Sequence, residues 1–214
     1  MPDPMVGSVS SGTVTLAPSR LDHVRSDQAP LFRLAIPPMD DLDSISGRGT
    51  PASVYSTTQI HHLMRVEFGR AQRYDYPLSL AVVAIDGLDD LRARWGFDAV
   101  GEAVEEVTAT LRANARGCDH LGQLVDRRLA AVLPHTLRPG AEAFAGRLLS
   151  RAADLKLARD GESIPLSVSI GLSTFEAGNT MFFDAMMEAA EAALEQAREA
   201  GGGRVAFLGP GELA

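Results

Sequence analysis

Apolar and polar positions alternate with a regular period only from Thr57 onward. Apolar residues recur at helical spacing from there to about Arg73, and Thr57-Thr58 can cap that helix. Leu78–Ile85 is a nearly continuous apolar run, which is typical of a strand buried on both faces. A second helical stripe of apolar residues fills Asp98–Ala115. The pattern therefore predicts helix, strand and helix in the first half of the ordered chain.

The second half predicts a strand hairpin followed by a helix and a strand. Short apolar runs at Asp119–Leu124 and Leu129–Leu133 are separated by a polar turn. Pro139 suits the first turn of a helix. In Leu166–Leu172, apolar residues alternate with serine and glycine, which predicts a half-buried strand. A helix and a strand complete the series at Thr180–Glu199 and Arg204–Leu208.

This order predicts an α+β fold. Two crossover helices around a central hairpin give a ferredoxin-like βαββαβ sandwich, with an N-terminal helix and an extra C-terminal strand. Helices should cover one or both faces of a mostly antiparallel sheet. We expect this domain over residues 53–210.

The chain before this domain predicts an irregular tail. Seven of the twelve prolines lie at or before Pro51, and the segment shows no sustained period. Residues 1–52 are therefore interpreted as a tail or linker. The apolar run Leu31–Ile36 is either a chance apolar cluster or a docking segment that lies on this domain or on a protein partner.

Composition narrows the classes of partner and site. A formal net charge of -8 argues against nucleic-acid binding, which depends on neutralising phosphates. No apolar run is long enough to span a bilayer, and Met1–Thr13 lacks the pattern of a secretory signal, so we expect a cytoplasmic protein without a membrane partner. A single cysteine, Cys118, excludes a disulfide framework and a cysteine zinc site. His61-His62 point to different sides of a helix, and no metal or cofactor is predicted.

Five short segments carry a family resemblance. They are Arg73–Leu80, Ala84–Leu88, Trp95–Phe97 with the following Gly101-Glu102, Ser167–Gly171 and Ala193–Arg198. In this order they resemble the GGDEF domain of the diguanylate cyclases, over about Thr57 to Leu208. The resemblance implies the nucleotidyl cyclase type of fold. It also implies a chemistry in which a dimer condenses two GTP molecules to cyclic di-GMP with divalent metals, so a homodimer is a further expectation.

The turn that names the family departs from its pattern. It aligns with Val125-Asp-Arg-Arg-Leu129, so the two glycines become Val125 and Asp126 and the two acidic positions become Arg127 and Arg128. Without the glycines the backbone cannot approach a nucleotide closely. Exchange of acids for arginines reverses the charge where the family binds metal. The two arginines are either a solvated hairpin tip or a contact for a partner or anion.

Other positions of the family's active site depart as well. The first aspartate of its metal pair aligns with Ala84, and the second is Asp86, which is alternatively an ordinary turn residue at a strand end. Arg92 aligns with the family's guanine-reading asparagine and Glu102 with an aspartate. The family's two basic phosphate-binding positions align with Arg198, which keeps the charge, and with Gly202, which does not. The resemblance thus predicts a domain without cyclase activity.

A second family site is retained in sequence. Arg116-Gly-Cys-Asp119 falls where the family has its inhibitory Arg-x-x-Asp motif, and Arg147 aligns with the basic residue that completes that site. The motif alone is weak, because Arg151-Ala-Ala-Asp154 matches it too. The argument depends on the position of Arg116–Asp119 and on the aligned Arg147. In the alternative interpretation, Arg116 stabilises a helix C-terminus and Asp119 is a common turn residue.

These observations favour a catalytically inactive domain that acts as a cyclic di-GMP receptor through Arg116, Asp119 and Arg147. The bound ligand would change how the domain, or the tail at 1–52, engages another protein. The alternative is a scaffold that binds a protein partner without any nucleotide, through the Arg127-Arg128 tip or the Leu31–Ile36 segment.

Overall fold

A computed structural model of the chain describes residues 54–176 and 182–209. The helices are α1 (Thr57–Tyr74), α2 (Leu88–Asn114), α3 (Arg138–Ala153) and α4 (Phe183–Glu199). The strands are β1 (Leu78–Ile85), β2 (His120–Gln123), β3 (Leu129–Pro134), β4 (Lys156–Arg159), β5 (Glu162–Pro165), β6 (Val168–Phe175) and β7 (Val205–Phe207).

Five of these strands form one sheet in the order β2-β3-β1-β6-β7. The central strand β1 runs antiparallel to β3 and β6, β2 is antiparallel to β3, and β7 is parallel to β6. The series β1-α2-β2-β3-α3-β6 is the predicted ferredoxin-like arrangement, with α1 before it and α4-β7 after it. The predicted α+β fold is confirmed.

The central strand is buried on both faces of the sheet. Ala81, Val83 and Ile85 belong to a core shared with α2 and α3. Leu80 and Val82 belong to a second core, shared with α1 and α4. Two helical layers therefore sandwich the sheet, which explains why β1 has no polar face.

The strand predicted at Leu166–Leu172 is present as β6, but the prediction that one of its faces is exposed was wrong. All eight residues of β6 are buried, and Ser169 and Ser173 are completely so. The reason is the close approach of α4: a Cβ atom on Gly171 would overlap the backbone of Ala190 and Leu194. Small residues on β6 serve helix packing here, whereas the alternation suggested a face in water.

Two helix starts also differ from prediction. Ser56, and not Thr57-Thr58, caps α1, and its backbone N–H and hydroxyl both reach the Gln59 side chain as part of a capping box. Helix α2 begins at Leu88 instead of Asp98, because its first turns continue across a kink at Gly96 (φ 80°).

One hairpin was missed. Strands β4 and β5 pair antiparallel around Asp160-Gly161, both of which have positive φ (47° and 84°). An Asp-Gly pair is a strong hairpin signal. Each strand is only four residues long, which is too short to show a clear alternation of apolar and polar residues.

The tail at 1–52, its Leu31–Ile36 segment and the predicted helix start at Thr180 lie outside the described residues. Within residues 54–176 and 182–209, no helix combines the length and apolar character needed to cross a bilayer.

Candidate functional site

A cleft of about 770 Å³ opens at the carboxyl end of β1. The start of α2, the β2–β3 turn and the last turns of α4 enclose it. It contains Asp126, Arg127 and Arg128 of the turn that the sequence analysis singled out, together with Arg92 and Arg198. The structure therefore brings most of the aligned active-site positions to one place.

Charges in this cleft balance. Four arginines line it, Arg92, Arg127, Arg128 and Arg198, against four acids, Asp89, Asp90, Asp126 and Glu195. Several of these arginines have acidic partners: Arg128 lies 3.2 Å from Glu191, Arg198 3.3 Å from Glu195 and Arg92 3.6 Å from Asp89. The cleft is thus not the concentrated acidic site that divalent metals prefer.

Asp86, the remaining metal-pair aspartate, is occupied by hydrogen bonds within the protein. Its carboxylate accepts from Ser167 Oγ at 2.8 Å, Ser169 Oγ at 2.7 Å and the backbone N–H of Gly203 at 2.9 Å. Gly203 has φ 62°, which lets the chain after α4 turn onto the carboxylate. Asp86 therefore ties β1 to β6 and to the loop before β7, beyond the turn role that the sequence suggested.

Glu102 is also engaged elsewhere. Its Oε1 forms a 2.6 Å ion pair with Arg159 on β4, and it is not among the residues of the cleft. Over the described parts of the chain, no three His, Cys, Asp or Glu side chains converge where they could hold a metal ion.

Two residues of the β2–β3 turn have the left-handed backbone conformation that glycine favours. Asp126 and Arg127 both have positive φ (56° and 60°), and Leu124 donates its N–H to the Arg128 carbonyl at 2.8 Å to close the hairpin. Asp tolerates this region, whereas arginine there is strained. Of these two residues, Asp126 aligns with a family glycine, whereas Arg127 aligns with an acidic position of the family.

An exposed aromatic ring stands at the rim of this cleft. Phe97 is 66% exposed, and the guanidinium carbons of Arg92 and Arg127 lie 5.7 and 5.8 Å from its ring centroid. Both distances are in the range of cation–π contacts. Val125, at the turn, is 57% exposed.

The Arg116–Asp119 motif forms a tight turn between α2 and β2. Asp119 Oδ2 accepts the backbone N–H of Arg116 at 2.7 Å, and the Asp119 N–H donates to the Arg116 carbonyl at 3.0 Å. Helix α2 ends at Asn114, so Arg116 lies in the turn and does not close the helix as expected. Arg116 is exposed and Asp119 half-buried; neither side chain is walled off from solvent.

Arg147 on α3 reaches the same end of α2. Its Nε donates to Asn114 Oδ1 at 3.3 Å, while Asn114 Nδ2 donates to the Phe144 carbonyl at 2.9 Å. One turn further along α3, Arg151 donates to the Ala113 carbonyl at 3.0 Å. Three arginines from two elements therefore surround one helix C-terminus, where cations are favoured.

Sequence reasoning missed Asn114. The signal was present, because the helical stripe of Val100, Val107 and Leu111 continues to position 114, where an asparagine replaces an apolar residue. A buried amide needs hydrogen-bond partners.

Tyr76 and Glu67 form a titratable pair near the junction of α1 and β1. This pair lies outside the cleft and outside the Arg116–Asp119 turn. The Tyr76 hydroxyl donates to the buried Glu67 carboxylate at 2.6 Å. Burial first, and then this hydrogen bond, raise the pKa of Tyr76 from 10.0 to about 12.

Comparison with known proteins identifies the class. Residues 52–204 match the family described as "Diguanylate cyclase, GGDEF domain", and the chain belongs to this family. The "Probable diguanylate cyclase DgcC" of Escherichia coli K12 is 24% identical over 163 residues, which are 76% of this chain and 43% of that protein. The chain thus spans less than half the length of this curated relative.

Solved structures show the same fold. The GGDEF domain of DgcB from Caulobacter crescentus, in complex with c-di-GMP, has a TM-score of 0.70 at 17% identity, covering 74% of this chain and 91% of that one. The diguanylate cyclase SiaD of Pseudomonas aeruginosa, in complex with its activator SiaC, has a TM-score of 0.70 at 21% identity, covering 78% and 64%.

Proposed function

We propose that this GGDEF domain is catalytically inactive and acts as a receptor for cyclic di-GMP, signalling through contact with another protein. The observation that carries the proposal is the arrangement around the C-terminus of α2. There Arg116 is exposed on a turn that Asp119 braces, and Arg147 reaches the same helix end from α3.

The chemistry of these side chains suits the ligand. A guanidinium can give two parallel hydrogen bonds to guanine O6 and N7, or to two oxygens of a phosphate. Oδ2 of Asp119 accepts from the Arg116 backbone N–H, and Oδ1 accepts only a weak contact from Cys118 Sγ at 3.8 Å. The carboxylate therefore retains lone pairs that can accept from the guanine N1–H and amino group. The turn fixes the acceptor before the ligand arrives, which lowers the entropy lost on binding.

Arguments from the cleft support inactivity. Cyclase chemistry needs metals to neutralise phosphate charge and activate the attacking hydroxyl. Here Ala84 replaces one of the two metal-binding aspartates of the family. The other, Asp86, accepts three hydrogen bonds from within the protein. Arginines occupy the two acidic positions of the turn. Incubation with GTP and Mg²⁺ or Mn²⁺, followed by chromatography, is expected to yield no cyclic di-GMP; product formation would contradict this part of the proposal.

Calorimetric titration with cyclic di-GMP tests the receptor role. The native chain should bind, and Arg116→Ala should lose affinity by on the order of 100-fold, since charge-assisted hydrogen bonds are removed. Arg94→Ala is the matched control, because Arg94 is exposed, belongs to neither region, and contacts Glu162 on β5 and the Trp95 ring. Absence of heat with the native chain, or equal binding by Arg116→Ala, would overturn the proposal.

A specific observation favours a second function, the nucleotide-independent scaffold. Phe97 and Val125 are large apolar side chains exposed at the rim, and Arg92 and Arg127 flank the ring. Such a surface suits a protein partner that offers acidic and apolar groups. Co-purification of a partner that is indifferent to cyclic di-GMP, retained by Arg116→Ala and lost with Phe97→Ala, would favour the scaffold over the receptor.

A further inference from the structure

We propose that Asn114 is a positioning residue that holds Arg147 in the orientation in which it meets cyclic di-GMP. This inference rests on the proposed receptor function and adds a residue to its site. Asn114 does not touch the ligand in this proposal; it acts through the guanidinium of Arg147.

Burial sets the first constraint on Asn114. The residue is only 8% exposed and stands at the last position of α2, in line with the apolar stripe that contains Leu111. An amide buried at such a position destabilises the protein unless its donors and acceptor are paired. A polar residue here therefore calls for a specific set of partners.

Both ends of the amide find partners on α3. Nδ2 donates to the carbonyl of Phe144 at 2.9 Å, and Oδ1 accepts from Nε of Arg147 at 3.3 Å. Phe144 and Arg147 are three residues apart and share one face of the helix. The bond to the Phe144 backbone fixes the amide plane, and the amide plane in turn aims Oδ1 at the arginine.

The remaining donors of Arg147 make this bond useful for binding. Nε carries one of five guanidinium N–H groups, and the other four belong to the two terminal nitrogens. With Nε held by Asn114, the terminal nitrogens stay available to a phosphate or a guanine edge. Arg147 is exposed, so an unheld side chain would sample many rotamers and lose that freedom on binding.

The same helix end also fixes the rest of the site. Arg116 follows Asn114 by two residues, and Asp119 holds its backbone N–H. Asn114 thereby links the turn that carries Arg116 and Asp119 to the helix that carries Arg147, and it coordinates the two halves of the site.

A double-mutant cycle tests this directly, using calorimetric titration of cyclic di-GMP into the full chain. Four proteins are compared: native, Asn114→Leu, Arg147→Ala and the double variant. We expect Asn114→Leu to weaken binding about tenfold and Arg147→Ala roughly 30-fold, with the double variant no weaker than Arg147→Ala alone. A residue that acts only through Arg147 has nothing left to act on once Arg147 is gone.

Melting temperatures of all four proteins separate positioning from stability. Thr108→Val is the matched control, because it also replaces a buried polar residue of α2 with an apolar one of similar size. It should leave the affinity unchanged. Asn114→Ser, whose short hydroxyl cannot bridge Phe144 and Arg147, replaces Asn114→Leu if the leucine variant does not fold.

Each outcome has one interpretation. Native protein that does not bind cyclic di-GMP overturns the receptor function, and this inference with it. Native binding with an unchanged Asn114→Leu affinity, or with the same loss in the presence and absence of Arg147, overturns the inference alone. A loss that Thr108→Val reproduces would likewise reduce Asn114 to a structural role.

Discussion

The two regions aligned with the family's nucleotide sites differ in how their charged groups are used. In the cleft at the end of β1, Arg128 pairs with Glu191 and Asp86 accepts three hydrogen bonds from its own protein. At the end of α2, Arg116 is exposed and makes no ion pair with any residue of 54–176 or 182–209. Arginines can therefore be paired within the protein in one region and be available to a ligand in another.

The largest expected difference between the two regions comes from removing one arginine from each. Arg147→Ala should weaken cyclic di-GMP binding roughly 30-fold, because charged hydrogen bonds are lost. Arg128→Ala should leave the affinity unchanged, since Arg128 pairs with Glu191 on α4. Calorimetric titration of both variants measures this, and equal losses would mean that the two regions are not functionally distinct.

Asp86→Ala should affect stability and leave binding alone. Ser167, Ser169 and Gly203 lose their common acceptor, which should lower the free energy of unfolding by about 2 kcal/mol in urea titration. Asp89→Ala is the control, because its side chain is 95% exposed and forms only a surface pair with Arg92. A stability loss no greater than that of the control would show that Asp86 is not a structural clamp.

Alkaline pH should destabilise the fold through a pair that belongs to neither region. The pKa of Tyr76 is raised in the folded chain to about 12 from 10.0, so its contribution is complete below pH 10 and is lost as pH rises toward 12. Tyr76→Phe should lower the free energy of unfolding by about 1 kcal/mol near neutral pH. Between pH 10 and 12, this free energy should fall less steeply in the variant than in the native protein. Urea titrations across that range check this; a decline of equal steepness in Tyr76→Phe would assign it to other groups.

The smallest effect concerns the strained turn. Asp126 has φ 56°, which aspartate tolerates at a small cost and glycine at none, so Asp126→Gly should raise the free energy of unfolding by about 0.5 kcal/mol. Glu106→Gly, in the uninterrupted part of α2 beyond the kink at Gly96, should instead lower it by about 1 kcal/mol. Denaturant titration of the pair checks the sign, and destabilisation of both would mean that Asp126 makes contacts that outweigh its backbone strain.

Most of the fold could be predicted because its elements carry strong local patterns. The apolar run of β1 packs into one core on each face of the sheet, and the apolar stripe of α2 packs into one of these two cores. The exposure of β6 was wrong because a tertiary contact overrides the pattern: the small residues around Gly171 pack against α4 and do not face water. The start of α2 was wrong for a local reason, because Gly96 kinks the helix without ending it.

The candidate site could be predicted in part. Arg116 and Asp119 are three residues apart, so a turn between them could be expected from the sequence. Two hydrogen bonds between these residues form that turn. That Asn114 links Arg147 to this helix end could not be predicted, because the contact joins residues 33 positions apart.

By itself, the sequence determined the family, the order of elements and the exchange of acids for arginines at Val125–Leu129, since each of these depends on residue identity and local period. Only the tertiary structure decided which charged groups remain available. That outcome depends on partners contributed by distant elements, such as Glu191 for Arg128 and Asn114 for Arg147, and no local pattern encodes them.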